Sequence, residues 1–212
     1  YFDLPKEERP TVYTLYFSDV DDAGHEFGPD SEENKYAVWH VDTKIKRLLD
    51  GLKARKIDKQ VNVIIVSDHG MAPYKATNAT YLDDYFDFDL TERILWTGEI
   101  IQIFPKPGKT DEIHSKIKNL PHVTCWKKEE IPARLNYSGS DRIAPIVCSS
   151  EMGWVTTSRK RQNDWLGGLD EPERFRGAHG YDNKYQEMQS IFVAQGAAFK
   201  QRTVVEPFEN VD

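Results

Sequence analysis

The chain has 212 residues, 39% apolar and 30% charged, with a formal net charge of −7. That length supports one sizeable core, and the composition excludes a disordered chain. Charge of both signs is dispersed, which argues against a nucleic-acid groove, and no apolar run is long enough to cross a bilayer.

Residues 11–17 are rich in β-branched and aromatic side chains and predict a strand. A polar, glycine-containing loop follows through Pro29. From 34 to about 55, Val38, Val41, Ile45, Leu48, Leu49 and Leu52 recur at three- and four-residue spacing, which predicts a helix with one buried stripe. Residues 61–66 form an apolar run that reads as a buried strand. Strand, helix, strand predicts a βαβ unit with parallel strands, and so a mostly parallel sheet flanked by helices.

Further along, residues 100–104 predict a short strand ended by Pro105 and Pro107. Residues 111–120 predict a short helix with Ile113, Ile117 and Leu120 on one face. Residues 122–126, 143–148 and 153–157 predict more strands, so that about 98–160 is expected to form a small β-rich lobe. Residues 159–177 are polar and read as a long loop, and 188–194 predict a last strand.

Cys125 and Cys148 are the only cysteines, and the sequence leaves open whether they form a disulfide or stay as buried thiols. Asn78-Ala79-Thr80 and Asn136-Tyr137-Ser138 fit the N-glycosylation pattern, which also occurs by chance. The chain opens at Tyr1 with neither an initiator Met nor a secretory leader pattern, as expected of a processed product or a piece of something larger.

The chemistry concentrates in three clusters. Val66-Ser67-Asp68-His69-Gly70-Met71 sets an acid beside an imidazole where an apolar strand stops, and Gly70 lets the chain turn so that both serve one site. Asp21-x3-His25, with Gly24 between them, brings a carboxylate and an imidazole within reach of one ion. His179 lies between glycines in Gly177-Ala178-His179-Gly180-Tyr181-Asp182-Asn183. Singly, these are a solvated acidic turn, a helix-capping Asp and a turn histidine. Together they are three His and two Asp around one predicted sheet edge, where open α/β sheets place ligands. His40, His114 and His122 have no neighbouring ligand set, and the five tryptophans read as packing residues.

These motifs resemble the nucleotide pyrophosphatase/phosphodiesterase family of the alkaline phosphatase superfamily. The Asp21-x3-His25 loop running on to Gly28-Pro29, Ser67-Asp68-His69-Gly70-Met71 and Gly177–Asn183 match it in order. So do Ile131-Pro132-Ala133-Arg134, Asp141-Arg142-Ile143 and the ending Pro207-Phe208-Glu209-Asn210-Val211. The resemblance implies an alkaline-phosphatase-like α/β fold and two zinc ions. Asp21, His25 and His179 would hold one ion, and Asp68 and His69 the other.

In the family a further Asp and a Thr or Ser nucleophile come from a segment preceding the first motif, for which the chain has no match. The expectation is therefore 1–212 as a partial catalytic domain, incomplete at its N-terminus, inactive alone and weak in zinc binding. The intact parent would cleave a phosphodiester or phosphoanhydride bond in a nucleotide or another small phosphodiester. It would be extracytoplasmic, would read no specific nucleic-acid sequence, and would touch membrane only through segments outside this chain. A preceding part of the same domain is the other expected partner. Rival readings are a phosphomonoesterase or lipid-headgroup phosphodiesterase of the same superfamily, a catalytically inactive extracellular binding module, and an unrelated α/β domain.

Overall fold

The computed structural model describes residues 1–209, the Lys6 side chain excepted. Helix α1 spans Asp19–Phe27 and α2 spans Glu32–Ala54. Strands β1 (Val63–Val66), β2 (Ala72–Lys75), β3 (Ala79–Tyr81), β4 (Thr91–Trp96) and β5 (Ile100–Pro105) follow. Then come α3 (Thr110–Ile117), β6 (Val123–Lys127), β7 (Ile146–Ser150) and β8 (Val155–Thr157). Helix α4 (Arg159–Leu166), β9 (Phe175–Ala178) and β10 (Phe192–Gln195) complete the order.

The largest sheet has the order β4-β5-β7-β6 and is antiparallel throughout. Its period-two logic is clear in β5, where Ile101 and Ile103 are fully buried and Gln102 between them faces the other way. Helix α3 covers that face with Ile113 and Ile117, both fully buried and one turn apart. Each such side chain contributes roughly 1.5–3 kcal/mol by leaving water. Cys125 and Cys148 face each other across β6 and β7 and are joined as a disulfide inside this core, which settles the pairing that the sequence left open.

Beside this sheet lie three two-stranded ladders. β2 and β9 are antiparallel, β3 and β8 parallel, and β1 and β10 antiparallel. A second core of Ala72, Tyr74, Val155, Ala178, Tyr181 and Met188 joins β2, β8 and β9. Among the described residues no helix is long and apolar enough to cross a membrane.

The fold is α/β, but several local expectations change. The expected βαβ unit does not form: residues 11–17 make no strand, and β1 pairs antiparallel with β10 instead. β-propensity becomes a strand only with a ladder partner. None lies beside 11–17 among the described residues, and Val12 and Tyr16 are about three-quarters exposed, at 76% and 79%. Among the described residues, parallel pairing is confined to β3 and β8, because hairpin and return strands dominate the rest.

The polar stretch before Pro29 is helix α1, not a loop. Acidic Asp19, Asp21 and Asp22 fill its first turn, where the helix dipole favours negative charge, and Gly28 closes it with φ 89°. The stretch 159–177 is likewise not one loop. Ser158 caps α4 by accepting from the Arg161 N–H, and buried Gln162 anchors the helix by donating to the Ala76 carbonyl.

The two sequons also separate. Asn78 donates its side-chain amide to the Gly153 carbonyl, while Thr80 is buried with its hydroxyl on the Pro121 carbonyl. Asn136 is exposed in a left-handed turn. Of the C-terminal segment matched in sequence, Asn210 and Val211 lie outside the described residues.

Candidate metal centre

The helical form of α1 gives the Asp21–His25 spacing its meaning. Residues four apart share one helix face, so both side chains project to the same side, with His25 Nε2 3.5 Å from Asp21 Oδ1. Helix α1 packs on β9 unusually closely. A Cβ on Gly177 would overlap the Gly24 carbonyl oxygen and stand 2.8 Å from Met71 Sδ, and one on Gly24 would stand 3.1 Å from Met71 Cε. Glycine at both positions therefore lets helix and strand meet over the Met71 side chain, two residues beyond His69.

Asp68 and His69 follow β1, where the strand gives way to a turn. Ser67 fastens that turn, accepting from the Ile191 N–H through its hydroxyl. Gly70 donates its N–H to the Met188 carbonyl, and a side chain there would overlap the Glu187 carbonyl. His179 leaves the end of β9, held by the pairing of Ala178 with Ala72.

The three segments that carry these side chains converge. Asp21, His25 and His179 present ligand atoms that all lie within 4.8 Å of one another. His179 Nε2 is 3.8 Å and His69 Nε2 4.0 Å from Asp21 Oδ1. The His69 and His179 rings stack at 3.5 Å, and the His25 ring is 5.0 Å from His179. Asp68 reaches the group through His69, at 3.7 Å, and its side chain is 75% exposed.

Two observations bear on whether a cation fits. Asp21 Oδ1 is buried and has no hydrogen-bond partner, an arrangement that costs about 1–3 kcal/mol for a polar atom and more for a charged one. It is ringed by three imidazole nitrogens at 3.5–4.0 Å, too far for hydrogen bonds. Ligands about 2.1 Å from a tetrahedral zinc stand about 3.4 Å apart, close to the separations of Asp21 from His25 and His179.

The imidazoles are also aimed. His25 Nδ1 donates to the Gly177 carbonyl and His69 Nδ1 to the Gly70 carbonyl, each at 2.8 Å, leaving both Nε2 lone pairs free. Burial, then the neighbouring His69 and His25, push the His179 pKa down, which favours the neutral, ligating form. The five sequence candidates thus lie in one neighbourhood: Asp21, His25 and His179 as a set, His69 against them, Asp68 at the rim.

The remaining histidines each meet one carboxylate. His40 lies 3.5 Å from Asp19, and His114 is buried 3.6 Å from Glu130, with Nε2 on the Cys125 carbonyl. His122 bonds Glu151 at 2.7 Å and stacks on Trp154. Sequence reasoning missed Met71 as the shared packing element and Gly24 and Gly177 as close-approach positions; their clustering around the ligand motifs was the available signal.

Comparison with known proteins gives this geometry a lineage. Residues 1–182 match the family model described as type I phosphodiesterase / nucleotide pyrophosphatase. An uncharacterized pyrophosphatase/phosphodiesterase of Schizosaccharomyces pombe is 36% identical over 222 aligned residues, covering 100% of this chain and 45% of that protein. The venom phosphodiesterase of Macrovipera lebetinus is 33% identical, covering 100% of this chain and 25% of that enzyme. Among solved structures, an inactive form of murine ectonucleotide pyrophosphatase/phosphodiesterase 5 in complex with AMP superposes with a TM-score of 0.70 at 36% identity, covering 83% of this chain and 44% of that one. The chain thus spans less than half the length of these relatives. The alkaline-phosphatase-like α/β fold expected from the motifs is the one shared with that structure. On a model match covering most of its length, the chain belongs to the type I phosphodiesterase / nucleotide pyrophosphatase family.

Proposed function

We propose that this chain carries part of the active centre of a zinc-dependent phosphodiesterase or nucleotide pyrophosphatase, with Asp21, His25 and His179 as one ligand set and Asp68 and His69 as part of a second. The observation that carries this reading is the buried, hydrogen-bond-free Oδ1 of Asp21 amid three imidazole Nε2 atoms. Two carboxylates with three imidazoles suit a borderline divalent cation. When bound, zinc supplies Lewis acidity, neutralising charge that builds on phosphoryl oxygens during displacement.

The chain's own residues do the orienting. The Gly177 and Gly70 carbonyls fix the tautomers of His25 and His69, and burial keeps the His179 ring neutral. Asp68 lies at the rim, with its side chain 75% exposed. A nucleophilic Thr or Ser and one more Asp would come from sequence preceding this chain, in keeping with a chain that spans 45% of the S. pombe relative. The substrate class is a nucleotide or similar small phosphodiester, supported by the AMP complex of the murine structure.

An extracytoplasmic location fits the buried disulfide and the secreted character that the word venom implies for one relative. In such a compartment Asn136 is the sequon open to glycosylation. A specific nucleic-acid sequence is not part of this reading, and membrane contact would come only through segments outside this chain.

The test is hydrolysis of p-nitrophenyl thymidine monophosphate with zinc. Residues 1–212 alone are expected to be inactive, and the intact parent active and silenced by His179→Ala. Substantial turnover by residues 1–212 would overturn the shared-site reading. Full activity of the parent variant would overturn the role of His179.

A further inference from the structure

We infer that Arg134 is a positioning residue for the metal centre: it clamps the loop bearing His179 to the β-rich lobe through Asp182. The clamp rests on the zinc reading above for its purpose, but its geometry stands alone.

The Arg134 guanidinium meets the Asp182 carboxylate end-on, with Nη1 donating to Oδ1 at 2.7 Å and Nη2 to Oδ2 at 2.5 Å. Nη1 also donates to Asn183 Oδ1 at 2.8 Å. This two-pronged match of fork to carboxylate is specific in geometry as well as charge. The Asp182 side chain is only 10% exposed, and its other acceptor bond, from the Lys184 N–H, folds the same loop into a turn. Arg134's hydrogen bonds hold the Asp182 carboxyl below its ordinary pKa.

Both ends of the clamp are anchored. Arg134 sits in a short 3-10 turn, Ala133–Leu135, whose flanking Ile131 and Leu135 pack with Ile143 and Val147 on the four-stranded sheet. Asp182 follows Tyr181, which is buried in the second core, and comes three residues after His179. Among the described residues, this is the salt bridge that joins the lobe to the His179 loop.

His179 has particular need of such support. The rings of His25 and His69 are each fixed by a hydrogen bond to a backbone carbonyl, whereas the His179 ring makes none among the described residues. Its direction is set by stacking on His69 and by the course of its own backbone. Gly180, at φ 91°, gives that backbone extra freedom. A tether beyond the glycine restores the precision that a ligand needs.

The experiment uses residues 1–212 with Arg134→Gln, Arg134→Lys and Asp182→Asn. Two quantities are read: zinc affinity by competition with a chromogenic chelator, and hydrogen exchange at residues 180–183 in the metal-free protein. Supporting partners of metal ligands typically govern about 10–100-fold in affinity. We expect a loss of about 10-fold or more in Arg134→Gln and Asp182→Asn, with faster exchange at 180–183 and little change at β5 and β7. Arg134→Lys, which keeps charge but loses the fork, should fall between.

Unchanged exchange at 180–183 overturns the clamp. Accelerated exchange with unchanged zinc affinity in a protein that does bind zinc also overturns its positioning role, as does exchange rising equally throughout the chain. If the unmutated chain binds no zinc, the metal reading fails, while the exchange result still decides whether the clamp exists.

Discussion

Glu99 offers a sharp test of the packing between the four-stranded sheet and the core of Tyr74 and Tyr181. It sits in the turn joining β4 to β5, which is stapled in place: the Thr156 N–H donates to the Gly98 carbonyl at 2.7 Å and the Ser150 N–H to the Glu99 carbonyl at 2.8 Å. These bonds fix the backbone that carries the partly buried Glu99 side chain. Burial therefore pushes its pKa up from 4.5 to about 7. Tyr74 and Tyr181, packed in the neighbouring core, are raised too, each by burial first and then by the Glu99 charge.

The linkage has a definite sign. Below about pH 4.5 the carboxyl is neutral in both folded and unfolded chains and costs nothing. Between pH 4.5 and 7 the unfolded chain loses this proton while the folded one keeps it, so stability falls as pH rises. Above pH 7 the full penalty applies. A rise of that size at about 1.4 kcal/mol per unit gives a ceiling of about 3 kcal/mol. Glu99→Gln removes the charge and keeps the shape. It should be more stable than the unmutated chain at pH 8 by up to about 3 kcal/mol, or roughly 6–12 °C in Tm, with the gap closing near pH 4. Thermal melts followed by circular dichroism at pH 4, 6 and 8 decide the matter. A gap that does not change with pH, or a variant less stable at pH 8, would refute the reasoning.

Three further outcomes follow from the packing. Ile103→Ala, at a fully buried position of β5, should cost about 2–5 kcal/mol in urea denaturation, while Ile64→Ala, 54% exposed on β1, should cost well under half of that. Gly177→Ala forces α1 away from β9 and should weaken zinc binding at least about 10-fold in a chelator competition; unchanged affinity would show that the close approach is dispensable. Expression through a eukaryotic secretory pathway should give one glycan-dependent mass shift, abolished by Asn136→Gln and untouched by Asn78→Gln, because the Asn78 amide and Thr80 hydroxyl are already engaged inside the fold.

The sequence was most legible where local pattern and tertiary packing agree. The alternation of β5 and the Ile113–Ile117 pair of α3 predicted their elements within a few residues and their buried faces too, whereas the α2 stripe predicted its helix but not its burial: only Leu52 of it is buried and Val38 is 50% exposed. It misled where partners decide: residues 11–17 carry strand residues without a ladder partner, and β1 is paired by β10, which lies over a hundred residues on. Helices α1 and α4 were hidden by polar composition, since a capping Ser158 and a buried Gln162 reveal a helix only in context.

For the candidate site, the Asp-His motifs named residues that the fold does bring together, but not the form in which the backbone carries them. The Asp21–His25 pair works through a helix face, not a loop. The Arg134–Asp182 link spans 48 residues and has no periodic signature. Glu99 looks like an ordinary turn acid until the fold buries it.

Zinc titration of residues 1–212 by equilibrium dialysis, beside the variant Asp21→Ala/His25→Ala/His179→Ala, tests the central claim most directly. The account predicts that the unmutated chain retains about one zinc ion, weakly, and that the triple variant retains none at the same free concentration, although both give the same circular dichroism spectrum. Equal zinc uptake by the two proteins would contradict it.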